Sequence, residues 1–150
     1  MAELGGTYET SFEMPGSAAA VLAHFSSLDH VEACTERLQV MTRQDAQTAH
    51  FLLEPQNSAG FGMQPSYTVA WRQTDDTVSW TTLEGNLTNE GAARVEVLTE
   101  DRVRVHWSQR IAFDLPLSTF LVRTMAPMVS RLVQPSLERY VTALRARFEP

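Results

Sequence analysis

The chain has 150 residues, with 43% hydrophobic and 20% charged content, which is the size and composition of one globular domain over residues 1–150. Its formal net charge of −6 argues against a nucleic-acid partner, because that binding depends on Lys and Arg at phosphates. All twelve basic residues are Arg, which excludes Schiff-base chemistry and a phosphate-binding loop through a lysine.

The composition also limits the compartment and the metal chemistry. No segment approaches the roughly 20 apolar residues of a membrane helix, and residues 1–6 lack the basic start and apolar run of a secretory signal. We therefore expect a cytoplasmic protein without integral membrane association. The single cysteine, Cys34, excludes an intrachain disulfide and a thiolate cluster. None of the four histidines has a metal-ligand spacing, so the sequence predicts no metal and no cofactor.

The predicted elements begin with a strand and two short helices. Thr7 to Met14 alternates with period two, which is typical of a half-buried strand. A Pro-Gly pair ends it, and Ser17 is placed to cap a helix over Ala18 to Ser27. A second short helix is predicted through His30 to Cys34, with Asp29 as its cap.

The middle of the chain is strand-like, with short polar turns that favour an antiparallel meander. The candidate strands are Leu38 to Arg43, Ala49 to Glu54, Tyr67 to Arg72, Val78 to Thr82, Leu87 to Leu98 and Arg102 to Phe113. Pro55 to Pro65 is interpreted as a longer loop that carries Phe61 and Met63. The Gly-x-Gly at residues 60–62 has no helix after it, so it is not a nucleotide-binding fingerprint.

The chain ends in a long helical pattern. Ser118 can cap it, and apolar residues recur at steps of three and four from Thr119 to about Phe148. Pro127 and Pro135 fall inside the pattern, so we expect the helix to kink there or to divide in two. The order of elements predicts an α+β fold, in which a curved antiparallel sheet of about six to seven strands wraps around this helix. Such a sheet commonly leaves a cavity beside a straight helix.

Three stretches of the sequence resemble the START-like (SRPBCC, helix-grip) superfamily. They are the opening strand with Met14 to Phe25, the segment Leu28 to Cys34, and the terminal helix after Leu115-Pro116-Leu117. The second stretch is similar to the carbon-monoxide-dehydrogenase accessory branch. The resemblance covers nearly the whole chain and implies a helix-grip fold with its function in the internal cavity, as in the lipid-transfer proteins and polyketide cyclases of this superfamily.

Strand parity and helical spacing select the candidate ligand-binding residues. Those predicted to point inward are Phe12, Tyr67, Val69, Trp71, Trp80, Val95, Trp107, Gln109, Ile111, Met125, Met128, Val129 and Leu132, together with Leu53 and Phe113. Phe61 and Met63 could form a lid at the mouth. Thr82, Glu84 and Asn89 are further polar candidates that could orient a ligand. The alternative for each apolar residue is that it only fills the core.

These residues favour binding of a hydrophobic small molecule, such as a lipid, a quinone or a polyketide-like compound, by a carrier or sensor without catalysis. One alternative is a polyketide cyclase or aromatase-type enzyme that uses Tyr67, Glu84 and Gln109. Another is a protein-interaction or assembly module, which would show an apolar surface patch. The ligand's identity and the oligomeric state stay open, because no sequence feature addresses them.

Overall fold

The computed structural model describes residues 2–58, 61–115 and 118–150. In chain order its elements are β1 (Ala2–Pro15), α1 (Ala18–Phe25), α2 (Leu28–Cys34), β2 (Leu38–Arg43), β3 (Thr48–Leu53), β4 (Gln56–Ser58), β5 (Phe61–Met63), β6 (Ser66–Gln73), β7 (Thr77–Gly85), β8 (Leu87–Thr99), β9 (Arg102–Leu115) and α3 (Thr119–Ala146).

Seven strands form one antiparallel sheet in the order β1-β9-β8-β7-β6-β3-β2. β1 and β9 pair along their whole lengths, from Ala2 opposite Leu115 to Pro15 opposite Arg102. The sheet curves around α3, and the two short helices follow β1. The structure therefore confirms the predicted helix-grip architecture.

The first short helix begins at its predicted cap, Ser17, whereas the predicted cap of the second helix, Asp29, lies inside its first turn. Ser17 Oγ accepts a hydrogen bond from the Ala20 amide at 3.2 Å, which satisfies a free N–H at the start of α1. α1 then buries Val21, Leu22 and Phe25. α2 begins at Leu28, two residues before the predicted start, and its N-cap Ser27 makes no side-chain capping bond.

α3 is one continuous helix of 28 residues that contains both prolines, so the alternative of two separate helices is wrong. Pro127 and Pro135 are both exposed. The carbonyls four residues earlier, which lose their helical N–H donors, therefore lie towards water, where they can be solvated. Ser118 Oγ caps the helix by accepting a hydrogen bond from the Leu121 amide at 3.3 Å. No helix within the described ranges is long and apolar enough to cross a membrane.

Residues 55–58 and 61–65 differ from the predicted loop, of which residues 59 and 60 lie outside the described ranges. They contain a small hairpin of β4 and β5, with Asn57 opposite Gly62 and Gln56 opposite Met63. This hairpin forms a sheet of its own beside the seven-stranded sheet. The pairing was not visible in the sequence, because three-residue strands are too short for an alternation pattern.

β7 and β8 pair along only part of their length. The ladder runs from Thr77 opposite Arg94 to Trp80 opposite Gly91 and stops there. Gly85 ends β7 with φ of +126°, and a Cβ at this position would lie 2.3 Å from the Ser66 carbonyl oxygen, so the turn requires glycine. The strands separate between this turn and the ladder, which opens the sheet beside the cavity described below.

Aromatic side chains fill one end of the concave face, beneath α1. Trp107 lies edge-on to Phe25, with ring centroids 5.4 Å apart. Trp80 packs against Trp107 at 5.0 Å, and Phe51 lies 5.9 Å from Trp71. Edge-to-face and tilted pairs of this kind are the favourable arrangements of aromatic rings. This end of the domain is therefore a filled core.

A buried histidine joins α1 to the end of α3. His24 is 7% exposed, and its Nε2 lies 2.7 Å from the Leu144 carbonyl oxygen. A neutral imidazole can donate that bond. Phe148 packs edge-on against the ring, at 5.2 Å between centroids. Burial lowers the pKa of His24 below its ordinary value, although the bond to Leu144 acts in the opposite direction.

We expect the free energy of unfolding to depend on pH through His24. Because the folded-state pKa is lowered, the unfolded chain takes up the proton first as the pH falls below about 6.5. Stability is therefore full above that pH and declines as the pH falls towards the folded-state pKa. H24Q, which keeps an N–H for Leu144, flattens this decline in urea unfolding between about pH 7 and 5. An H24Q protein with the same pH dependence as the wild type would contradict this role.

Candidate functional site

A cavity of about 510 Å³ lies between the concave face of the sheet and α3. Its lining comes from β1, α2 and the segment after it, β3 to β6, β8, β9 and α3. The lining residues are Leu4, Val31, Cys34, Thr35, Glu36, Arg37, Phe51, Leu53, Gln56, Met63, Tyr67, Leu87, Asn89, Gln109, Ile111, Phe113, Leu115, Met125, Val129, Leu132, Val133, Ser136, Leu137, Arg139 and Tyr140.

The cavity opens where its lining residues are exposed, between residues 35–37, the β4–β5 hairpin and the middle of α3. Glu36, Arg37 and Arg139 are exposed there, and Leu132 is 55% exposed. We call this region the mouth. Arg139 donates two hydrogen bonds to the Glu36 carboxylate, Nε to Oε1 at 2.7 Å and NH2 to Oε2 at 3.3 Å. The pair ties α3 to the segment after α2, so it holds one side of the mouth.

Buried polar side chains form a cluster on the sheet side of the cavity. The indole Nε1 of Trp80 donates to Asn89 Oδ1 at 3.0 Å, and Gln109 Nε2 donates to the same oxygen at 2.9 Å. The indole Nε1 of Trp107 donates to Gln109 Oε1 at 3.2 Å. We call these four residues the indole–amide cluster. Gln109 is only 2% exposed, so these bonds replace the water that it would otherwise bind.

Where β7 and β8 separate, Thr82 on β7 holds Asn89 in place. The backbone N–H of Asn89 donates to Thr82 Oγ1 at 2.7 Å, and Thr82 Oγ1 donates to the backbone carbonyl oxygen of Asn89 at 2.9 Å. The Thr82 hydroxyl therefore replaces backbone hydrogen bonds that β7 and β8 do not make at this point. Gly91 leaves room for the neighbouring indole, because a Cβ there would lie 2.8 Å from Trp80 Cζ2. These contacts fix the backbone from which the Asn89 side chain enters the cluster.

Two phenols and one thiol also line the cavity. Burial raises the pKa of both Tyr67 and Tyr140, and for Tyr140 the neighbouring Cys34 and Tyr67 act in the same direction. Burial also raises the pKa of the Cys34 thiol. At neutral pH these three groups are therefore protonated, so they can donate hydrogen bonds but do not act as nucleophilic anions.

The structure brings seven of the sequence-selected residues to the cavity: Met63, Tyr67, Gln109, Ile111, Met125, Val129 and Leu132. Leu53, Phe113 and the polar candidate Asn89 also line it, whereas the polar candidate Thr82 does not. Phe61 belongs to β5, but its side chain lies outside the described part of the structure.

The other selected residues do not line the cavity. Five of them belong to the filled core beneath α1: Val69, Trp71, Trp80, Val95 and Trp107. There the concave face is covered by the α1 residues Val21, Leu22 and Phe25. Phe12 is covered by the end of α3, with the Arg145 guanidinium carbon 4.2 Å from its ring centroid. Met128 is 40% exposed, because the apolar stripe of α3 is wider than the face that the sheet covers.

Glu84 points away from the cavity. The pairing of β6 with β7 shifts after Thr68 opposite Glu84, so that the next pair is Val69 with Thr82. The skipped residue, Leu83, bulges out and is exposed. A bulge of one residue reverses the strand parity beyond it. Glu84 is therefore exposed, on the outer face with Thr68, whose Oγ1 lies 3.4 Å from Glu84 Oε1.

Several lining residues were not selected from the sequence. Leu4 lies before the predicted first strand, although it shares the parity of that strand's inward face, and extending the alternation would have found it. Leu137 and Tyr140 continue the stripe of α3, so helical spacing also carries this signal. Glu36 and Arg37 follow α2 in a segment without periodicity. Arg37 has φ of +60°, which no pattern in the sequence indicates.

No group of three or more His, Cys, Asp or Glu side chains with the geometry of a metal site occurs within residues 2–58, 61–115 and 118–150. Glu36 is the one carboxylate among the described lining residues, and it is paired with Arg139. The interior of the cavity therefore offers apolar surface, amide groups and neutral hydroxyls.

The likeness of this chain to known proteins is structural. No protein-family model and no curated sequence match it. A protein from Thermus thermophilus superposes with a TM-score of 0.65 at 16% identity, over 94% of this chain and 95% of that one. A START superfamily protein from Mycobacterium smegmatis also gives 0.65 at 16% identity, over 95% and 97%.

Norcoclaurine synthase from Thalictrum flavum, in complex with dopamine and hydroxybenzaldehyde, gives a TM-score of 0.57 at 12% identity, over 96% of this chain and 86% of that one. The chain therefore has the START-like fold that the sequence resemblance predicts. At these identities the likeness extends to the fold alone, so it assigns no activity to this chain.

Replacing Gln109 tests the indole–amide cluster. Q109L leaves the Trp107 indole N–H without its acceptor and removes the hydrogen bond that Gln109 donates to Asn89 Oδ1. We therefore expect the free energy of unfolding to fall by about 1–3 kcal/mol. Q44L is the control, because Gln44 is exposed in the turn after β2, and we expect it to change stability by at most about 0.5 kcal/mol. Equal urea midpoints for Q109L and the wild type would contradict a structural role of the cluster.

Proposed function

We propose that this protein binds a hydrophobic small molecule in the cavity, as a carrier or sensor without catalysis. The observation that carries the proposal is the 510 Å³ space between sheet and helix, with mainly aliphatic and aromatic walls. Ligand sites of drug-sized molecules have volumes of about 300–1,000 Å³ and a few polar groups among apolar side chains. Protein interiors are otherwise packed without such voids.

The walls suit an adaptable apolar site. Ile111 and Phe113 face the cavity from β9, while Met125 and Val129 face it from α3. Transfer of apolar ligand surface from water to these walls is favourable by roughly 25 cal/mol per Å². Methionine side chains can adjust to ligands of different shape because they are unbranched and flexible. The fold is compatible with such a role, since norcoclaurine synthase holds dopamine and hydroxybenzaldehyde.

The chemistry of the interior supports binding over catalysis. Among the described lining residues there is no histidine, and the one carboxylate, Glu36, lies at the mouth in a pair with Arg139. Cys34 and the two tyrosines are protonated at neutral pH. A general base needs a group that can accept a proton near the operating pH. Glu84, the carboxylate of the cyclase hypothesis, is on the outer face.

A second candidate is a protein-interaction module, and one observation favours it. The first half of α3 exposes Phe120, Leu121 and Met128, next to the exposed Leu132 at the mouth. Exposed apolar patches are typical of surfaces that meet another molecule. The same patch would also suit an apolar ligand on its way into the cavity. Binding of a small molecule and its sensitivity to cavity-filling substitutions separate the two candidates.

The proposal can be tested with N-phenyl-1-naphthylamine, an uncharged apolar dye whose fluorescence rises in dry sites. We expect saturable binding by the wild type. V129W fills part of the cavity from a half-buried position on α3, so we expect it to weaken binding by at least about tenfold, or ~1.4 kcal/mol. The readout is a fluorescence titration, with circular dichroism to verify that the variant is folded.

V97W is the matched control, because Val97 is 63% exposed on β8 and is not a lining residue. We expect it to bind the dye as the wild type does. Equal affinities of V129W and V97W would place the dye outside the cavity. That result, or the absence of saturable binding to the wild type, would contradict the proposed function.

A further inference from the structure

The two indoles determine which way the amides of the indole–amide cluster point. An indole N–H can only donate a hydrogen bond. The Asn89 atom 3.0 Å from Trp80 Nε1 must therefore be the oxygen, and so must the Gln109 atom 3.2 Å from Trp107 Nε1. Gln109 then presents its Nε2 to Asn89 Oδ1, at 2.9 Å. Each assignment is consistent with the others, so the orientation of both amides is fixed.

One donor of the Asn89 side chain has no hydrogen-bond partner among the described residues. Its Oδ1 accepts two hydrogen bonds, which occupies both lone pairs. Its Nδ2 makes no hydrogen bond to any described residue, yet no buried polar side-chain atom in the described ranges lacks a partner. Nδ2 is therefore accessible, and Asn89 is only half-buried because its side chain lines the cavity. The Asn89 amide thus offers N–H groups to whatever occupies this space.

The Tyr67 hydroxyl is a second hydrogen-bond donor at the cavity. Tyr67 is only 4% exposed, and its ring is stacked on Phe51, with centroids 5.3 Å apart. Its hydroxyl has no hydrogen-bond partner among the described residues, but it is not enclosed, so it too reaches the cavity. A phenol this deeply buried normally finds a partner. The Tyr67 hydroxyl can therefore donate a hydrogen bond to a group inside the cavity.

The surroundings determine the charge of a ligand group at this place. The two arginines of the lining, Arg37 and Arg139, are at the mouth and exposed. An anionic group beside Asn89 would therefore be buried without a cation, which is costly. Asn89 Oδ1 already accepts two bonds and has no lone pair for a ligand donor, so the Asn89 side chain can meet a ligand only by donating from Nδ2. A neutral acceptor fits without leaving a polar group unpaired.

We propose that the ligand is a neutral hydrophobic carbonyl compound, such as a ketone, ester or quinone, whose oxygen accepts a hydrogen bond from Asn89 Nδ2, with the Tyr67 hydroxyl as a second donor in the same cavity. This inference rests on the proposed function and names the ligand class. The apolar part of the molecule lies against Ile111 and Val129, and the carbonyl lies towards the indole–amide cluster. The two indoles act through Asn89 and Gln109, as positioning residues that hold the donor in one orientation.

Two nearly isosteric probes test the proposal, namely 2-acetylnaphthalene, which has the carbonyl, and 2-isopropenylnaphthalene, which has a C=CH₂ group in its place. We expect the wild type to bind the ketone about tenfold more tightly in calorimetric titrations at pH 8, since one or two hydrogen bonds distinguish the probes. N89D keeps the oxygen that Trp80 and Gln109 need but loses the free N–H. We therefore expect its ketone-to-alkene affinity ratio to fall about tenfold, because the cost of covering the new carboxylate applies to both probes whereas the lost N–H affects only the ketone.

Y67F gives a second, independent variant, for which we expect the ketone affinity to fall about fivefold. Y8F is its control, because Tyr8 is a partly buried tyrosine of β1 that does not line the cavity. The infrared carbonyl stretch of bound 2-acetylnaphthalene adds a readout on the wild type alone. We expect it at a lower wavenumber than in hexane, as for a hydrogen-bonded ketone.

The outcomes separate the two proposals. Equal binding of both probes, an unshifted carbonyl stretch, or a ketone affinity that N89D and Y67F leave unchanged would overturn the carbonyl inference while the cavity function stands. Failure of the wild type to bind either probe would overturn both. A shifted stretch and a ketone preference that N89D abolishes would support the inference.

Discussion

The structure depends on the packing of one long helix, α3, against a curved sheet. The second half of α3 buries Leu137, Val141 and Leu144 against the sheet and α1, and this contact closes the core. A long helix and a curved sheet do not pack closely along their whole lengths, and the cavity lies where they do not. In the first half of α3, Met125 and Val129 line this cavity between the helix and the sheet. The cavity follows from the same geometry that holds the domain together.

The requirement that buried polar groups be paired shapes the chemistry of that space. Trp80 and Trp107 pack as core residues, yet each carries an N–H that must find an acceptor. The side-chain oxygens of Asn89 and Gln109 supply the acceptors. Because each oxygen is held by an indole N–H, the direction of the NH₂ group on the same amide is fixed as well. A core requirement thereby produces an oriented donor at the cavity surface. Neutral tyrosines complete a site that is polar at one place, uncharged inside and charged only at its mouth.

The sequence predicted the order of elements and many inward faces, because periodicity reports which side of a strand or helix is apolar. Parity selected Tyr67, Gln109 and Ile111, which line the cavity. It equally selected Trp71 and Trp107, which lie in the filled core, because parity gives the face but not the position along it. The bulge at Leu83 places Glu84 on the outer face of the sheet instead of the predicted inner face, and no local sequence pattern indicates such a shift. The continuous path of α3 through its prolines depends on solvent access, which only the fold determines.

The central claim is that the space beside α3 holds an apolar molecule, and a crystal structure of the protein grown with 2-acetylnaphthalene tests it most directly. The account predicts one naphthalene ring system between Ile111 and Val129, with the ketone oxygen within about 3.2 Å of Asn89 Nδ2, the upper range of an N–H···O bond. A cavity filled by its own side chains, with the naphthalene absent from it or bound only on the outer surface, would contradict the account.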